Sequence, residues 1–258
     1  MKIQSVLLLF FVFLIRSPLM AQAKKTIPVS QIEFQSAEYA NKMYYLASHY
    51  GKYQTLLDSV KGNSEGQLVF KKSQKYVEGI YMLVTPDKKI ELEFMMDANQ
   101  KFSIQVTNPT DKTVAISNSI LNQDFNAFNS FFKTKMEGMK ALEKNLADKK
   151  TKQDSAIVIQ DLKKIQSEIN LYKNNYIQAN PENTLALLFR MSQPIDNFSN
   201  KPAEEKLATK TDSIAYLKKH FFDGINFKDN RLLRNPFLEN RITTYFNTFV
   251  PVTPEAVT

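Results

Sequence analysis

The sequence predicts an α+β protein: an N-terminal antiparallel β-sandwich or small barrel followed by an all-α helical region. Three observations predict it. From Thr26 to Asn118 the apolar residues recur mostly at every second position. After Asn118 they recur at every third or fourth. The strand-length runs in the first part lie roughly ten residues apart and are bounded by Gly, Pro, Asp or Asn, the spacing of short strands folded back on one another.

The elements follow in order. "MKIQSVLLLFFVFLIRSPLMAQAKK" has Lys2 in a short basic region, an apolar run from Val6 to Ile15, and the small-x-small pattern Ala21-Gln22-Ala23. Residues 1–23 therefore read as a cleaved signal peptide. The ten apolar residues Val6–Ile15 would span about 15 Å as a helix, half of a ~30 Å bilayer core. No membrane span is expected once the signal is cleaved. Residues 24–118 form the β-rich part. "NKMYYLASHYGKYQTLLDSVKGNSEGQLVF" (41–70) reads as two or three strands, with a turn bracketed by Gly62 and Gly66. "EGIYMLVTP", "KKIELEFMMD" and "KFSIQVTN" follow as further strands, with "TPDKK" (85–89) as a hairpin loop. In "KIELEFM", Ile90, Leu92 and Phe94 alternate with Glu91 and Glu93, which places both carboxylates on a solvent face.

Residues 119–258 form the helical part. Leu121, Phe125, Phe128, Phe132, Met136, Met139, Leu142 and Leu146 make one helical stripe. "KKTKQD" (149–154) breaks it. Val158, Leu162, Ile165, Ile169, Tyr172 and Tyr176 make a second stripe, which completes an antiparallel helical hairpin. Asn180-Pro181 supplies an N-cap and first-turn proline for a third helix through "ENTLALLFRMS". A fourth helix starts at Lys201-Pro202 and carries Ile214, Leu217 and Phe221; a last segment, Leu232 to Phe249, is interrupted near Pro236.

Composition narrows the chemistry. The 258 residues contain no cysteine, which excludes disulfides, a thiol nucleophile, thiolate metal sites and a lipid anchor through an N-terminal Cys. Phe (19), Tyr (11) and Met (9) carry the apolar weight. The net charge of +8 falls to +6 once Lys2 and Arg16 leave with the signal, and the lysines are interspersed with acids. That patterning describes a solvated face, so no nucleic-acid partner is expected. Two histidines, His49 and His220, stand far apart, and no metal or cofactor motif accompanies them. A GxSxG elbow and a GxGxxG or Walker loop are both missing. No catalytic constellation is recognisable.

Two candidate surfaces remain. The aromatic strand with Tyr44, Tyr45, His49, Tyr50 and Tyr53 offers rigid amphipathic contact area for a partner, or else its alternate tyrosines are core. Glu91 and Glu93 could serve sugar chemistry as a carboxylate pair, or simply solvate a strand. The Phe/Met stripe from Phe125 to Met139 reads as core rather than as a partner groove.

"LLDSVKGNSEGQLVFKK" and "VEGIYMLVTPDKKIELEFMMDANQKFSI" resemble the N-terminal β-rich module that precedes thioredoxin-like domains in exported Gram-negative proteins. "ISNSILNQDFNAFNSFF" is similar to that family's first helix. "ANPENTLALLFRMSQP" and "HFFDGINFKDNRLLRNPFLENRITTYF" resemble the helical domain of unknown function that follows. These stretches cover most of the chain beyond the signal. The resemblance implies a non-catalytic accessory or interaction protein of the periplasm or cell envelope, whose partner is an envelope protein or a thioredoxin-fold domain. Its alternative is part of a thiol–disulfide oxidoreductase without the thioredoxin domain. A glycan-binding or hydrolytic role through Glu91 and Glu93 is a third expectation, drawn from the residues alone.

Overall fold

Ile32 and Phe34 of β1 (Ser30–Gln35) are fully buried, while Gln31, Glu33 and Gln35 are half-buried between them. This period-two pattern recurs in β4 (Gln67–Lys72), where Leu68 and Phe70 point inward, and in β7 (Lys101–Asn108), where Phe102, Ile104 and Val106 do. The computed structural model describes residues 28–147, 152–193 and 210–250. The signal segment, the start at Lys201-Pro202 and the "FVPVTPEAVT" end beyond Val250 lie outside the described residues.

The strands β1, β2 (Met43–Tyr50), β3 (Tyr53–Lys61), β4, β5 (Gly79–Val84), β6 (Ile90–Met96), β7 and β8 (Thr113–Ser117) form two four-stranded sheets. Their orders are β4-β1-β7-β8 and β3-β2-β5-β6. Each sheet keeps two free edges, so the architecture is a sandwich rather than a closed barrel. One pairing departs from the antiparallel expectation: β1 and β7 are parallel. Between them the chain builds the whole second sheet, and a long crossover of this kind is what a parallel pair requires.

Phe34, Phe70, Phe94 and Phe102 pack edge-to-face between the sheets, with ring centroids 5.1 to 6.1 Å apart. Each buried ring contributes roughly 1.5–3 kcal/mol, which is how a chain without disulfides holds its core. The predicted Gly62–Gly66 turn is the corner where the chain leaves one sheet for the other. Gly66 has φ +78°, and a Cβ there would lie 1.9 Å from the Ser36 carbonyl oxygen, so the corner requires glycine. The 85–89 hairpin forms as expected, closed by Thr85 N–H to Lys89 O at 2.9 Å.

Beyond the strands come α1 (Ile120–Ala147), α2 (Lys152–Ala179), α3 (Thr184–Ser192), α4 (Lys210–His220), a 3-10 turn (Asn230–Arg234) and α5 (Phe237–Phe249). Contacts between α1 and α2 run in opposite order: Asp124 meets Tyr176, Phe128 meets Tyr172, and Lys135 meets Glu168 at 2.5 Å. They form the expected antiparallel hairpin, and α2 is already under way at Lys152, inside the predicted 149–154 break. Helix α3 starts later than predicted. Its cap is Asn183, whose side chain accepts from Ala186 N–H at 2.8 Å. Asn180 instead ends α2, with its N–H on Tyr176 O, and Pro181 sits in the intervening turn. Pro236 does divide the last segment, into the 3-10 turn and α5.

The helical part completes the fold rather than standing apart from it. Ile80 and Met95, on the outer face of the β3-β2-β5-β6 sheet, are buried with Leu121, Phe125 and Phe128 of α1 and Leu185, Leu188 and Phe189 of α3. No described helix is long and apolar enough to cross a membrane.

Candidate functional site

The aromatic strand does not present its tyrosines as one surface. Tyr44 is 4% exposed and packs on Tyr39 in the sandwich core, with ring centroids 4.7 Å apart; it is interior, not a contact residue. Burial raises its pKa to about 12. Tyr45 lies on the opposite face of β2, half-buried beside Ala47 and Met82, with the Lys88 ammonium over its ring. The far end of the strand is where the chain docks on itself. Gly51 N–H donates to Leu233 O at 2.9 Å, and Arg234 donates to the buried Ser48 hydroxyl and to His49 O. The Arg234 guanidinium also lies 5.6 Å from the Tyr50 ring centroid. His49 is half-buried, and desolvation lowers its pKa. Only Tyr50 and Tyr53 are well exposed, at 53% and 64%. Gly79 makes this joint possible: its φ is +149°, and a Cβ would stand 2.2 Å from the Arg234 Cβ.

An open groove lies where the edges of β6 and β8 meet α1. Ser119 caps α1, its hydroxyl accepting from Asn122 N–H at 3.2 Å. Asn122 and Gln123 are both amides, and each clips one sheet edge. Asn122 is 2% exposed; its Oδ1 accepts from Met95 N–H at 2.7 Å and its Nδ2 donates to Met95 O at 2.9 Å. Gln123 donates to Ile116 O of β8 at 2.9 Å. The groove, of about 770 Å³, continues from these clips along β6, β8 and α1. Because Met95 turns both backbone groups outward, the pleat turns those of Glu93, two residues earlier, the same way. The β6 edge is thus closed at Met95 and opens into the groove at Glu93.

Glu91 and Glu93 line that groove but are not equivalent. A bulge in the β5–β6 ladder, where Leu83 and Val84 pair with Leu92 and Ile90, leaves Glu91 as the extra residue. Its carboxylate takes the Lys112 ammonium at 2.5 Å and the Tyr39 hydroxyl at 3.4 Å, and its side chain is only 12% exposed. The expected solvent-facing pair is therefore one engaged carboxylate and one open one. Glu93 keeps solvent access, while the apolar residues crowded round its carboxyl raise its pKa by desolvation.

Glu93, Phe125 and Asn129 also belong to a second, more apolar pocket of about 270 Å³. Its walls are Ile80, Phe128, Phe132, Leu188, Phe189, Pro236 and Phe237. Lys173 of α2 ends inside it, 9% exposed, with Nζ donating to the Ser192 hydroxyl at 2.9 Å and lying 5.8 Å from the Phe128 ring centroid. Desolvation lowers its pKa. The sequence held a signal for Lys173: it lies four residues after Ile169 and three before Tyr176, on the apolar stripe. Asn122 and Arg234 gave no such signal, since each matters through a backbone group distant in the chain. Among the described residues no group of three or more His, Asp or Glu is placed to hold a metal. No family model matches the chain, and no curated protein matches it either.

Proposed function

We propose that the chain is a non-catalytic accessory protein of the cell envelope, exported by its N-terminal segment, that captures an extended basic segment of a partner protein on the open edge of β6. The observation that carries this reading is the side-chain clip. Asn122 completes the β6 ladder at Met95, and the next outward-facing residue, Glu93, faces a groove of about 770 Å³. An extended peptide laid there would continue the sheet, with main-chain hydrogen bonds giving affinity and the groove walls giving specificity. The charge of the groove favours a basic segment. Glu91, Glu93, Asp111 and Glu137 face only Lys112 and Lys133, the reverse of the balance of the chain as a whole.

The resemblance of the strand and helix motifs to the region preceding thioredoxin-like domains makes a thioredoxin-fold envelope protein the first partner to try. Neither dithiol exchange nor peroxide reduction through a thiol is open to a chain without cysteine, so insulin-reduction and peroxide-reduction assays on the purified protein should be blank. The binding reading is tested with a panel of extended peptides alternating Lys or Arg with Val. A binding member should slow hydrogen exchange at the Glu93 amide and lose more affinity in Glu93→Pro than in Glu93→Gln, because proline removes the outward-facing donor as well as the carboxylate. Peptides that bind without protecting Glu93, or that bind Glu93→Pro as well as Glu93→Gln, would sink the edge-capture reading.

A further inference from the structure

We propose that the apolar pocket between β6, α1, α2 and α3 is a binding site for a small monocarboxylate with a bulky aromatic or branched body, its carboxylate seated on Lys173. This goes beyond capture of a peptide, because it uses the deep ammonium and not the strand edge. Three observations carry it. The first is that, among the described residues, no carboxylate pairs with the pocket's ammonium. Lys173 is 9% exposed, and its one hydrogen bond among the described residues goes to Ser192. No Asp or Glu among the described residues comes within 4.0 Å of its Nζ. An ammonium has three donors, so two are left to satisfy in a setting where an unpaired charge is costly. A carboxylate is the group that answers both charge and hydrogen bonding.

The second observation is the shape and lining. A volume of about 270 Å³ suits a ligand of roughly amino-acid size. Phe128, Phe132 and Phe189 line it, so a flat or branched hydrocarbon body gains contact area that a short polar acid does not. Ser192, already donating to Phe189 O at 3.0 Å, fixes the Lys173 ammonium in place. The third is Glu93, which retains solvent access and lies on the wall shared with the open groove. A second carboxylate on the ligand would meet it, so one-acid ligands are favoured over diacids.

The test is titration calorimetry on the full chain with 3-phenylpropionate, 4-methylpentanoate, the neutral amide of the first, and phenylsuccinate. Both monoacids should saturate below about 1 mM, with the amide at least about tenfold weaker. Lys173→Met should weaken both acids at least about tenfold, and Glu93→Gln should improve phenylsuccinate at least about threefold more than it improves either monoacid. No saturable binding by folded wild-type protein up to about 10 mM, or an amide that binds as well as its acid, would overturn the assignment. Should Lys173→Met fail to fold, the acid–amide comparison and the Glu93→Gln result still decide it. Failure here leaves the edge-capture reading standing, because that reading is scored by Glu93 amide protection.

Discussion

Replacing Asn122 by leucine tests the joint that shapes the groove. The substitution keeps the branched side-chain outline, with methyl groups bulkier than the amide, but removes both side-chain hydrogen bonds to Met95, at 2.7 and 2.9 Å, and the 3.0 Å bond from Nδ2 to Ser119. Met95 is fully buried and Asn122 nearly so, so water does not replace what is lost. Two buried backbone groups left without partners cost roughly 1–3 kcal/mol each, which gives an expected loss of about 4 kcal/mol. In a chain of this size that lowers the melting temperature by about 8–16 °C. Gln123→Ala is the matched control. Gln123 is exposed, and water can reach the Ile116 carbonyl in its place, so the loss there should stay below about 1 kcal/mol. Urea denaturation followed by far-UV circular dichroism measures both, and amide exchange at Met95 localises the effect. Equal losses in the two variants, or an Asn122→Leu loss under about 1 kcal/mol, would refute the claim that this amide completes the β6 edge.

Three further outcomes are expected. Gly79→Ala should cost about 3 kcal/mol or more in urea unfolding, because φ +149° disfavours any side chain and the new Cβ meets Arg234; a neutral result would mean that the Arg234 joint is not close-packed. Lys173→Met should raise the unfolding free energy measured in urea at neutral pH by roughly 1 kcal/mol or more, because it removes a charge whose folded pKa is depressed by burial. For the same reason wild-type stability should gain on the variant as pH climbs through the lowered folded pKa towards 10.5, where the unfolded lysine also loses its proton. Asp229, held below its usual 3.8 by hydrogen bonds from Arg231, should stabilise the fold fully above that value and less as pH falls through its lower folded pKa. In Asp229→Asn that acid limb should flatten in pH-dependent melting curves.

Much of the fold was legible because local pattern and environment agree. Ile32 and Phe34, or Phe102 and Ile104, alternate because one face of each strand is dry, and Leu121, Phe125 and Phe128 recur at helical spacing because one side of α1 is covered. The start of α3 was misplaced for a local reason. Asn180 and Asn183 both suit a cap, and only the turn through Pro181 assigns the first to the end of α2 and the second to α3. The candidate site was less legible. A strand of tyrosines looks alike whether a ring is exposed or buried, and Tyr44 faces the core because its face of β2 packs against the other sheet, whereas Tyr45 points from the opposite face. The Glu91–Glu93 pair was expected on one face, and a one-residue bulge separated their surroundings.

By itself, then, the sequence determined what depends on residue type and short spacing: strands before helices, two apolar stripes, a glycine corner, and a chain with no thiol chemistry. Tertiary structure alone decided which polar groups meet across long stretches of chain. Asn122 reaches Met95, Arg234 reaches Ser48, and Lys173 and Glu93 share one apolar pocket because packing the helices on the outer face of a sheet brings them there. The physical reason is that periodicity reports which side of an element is dry, whereas the partner of a buried polar group is set by which elements pack together.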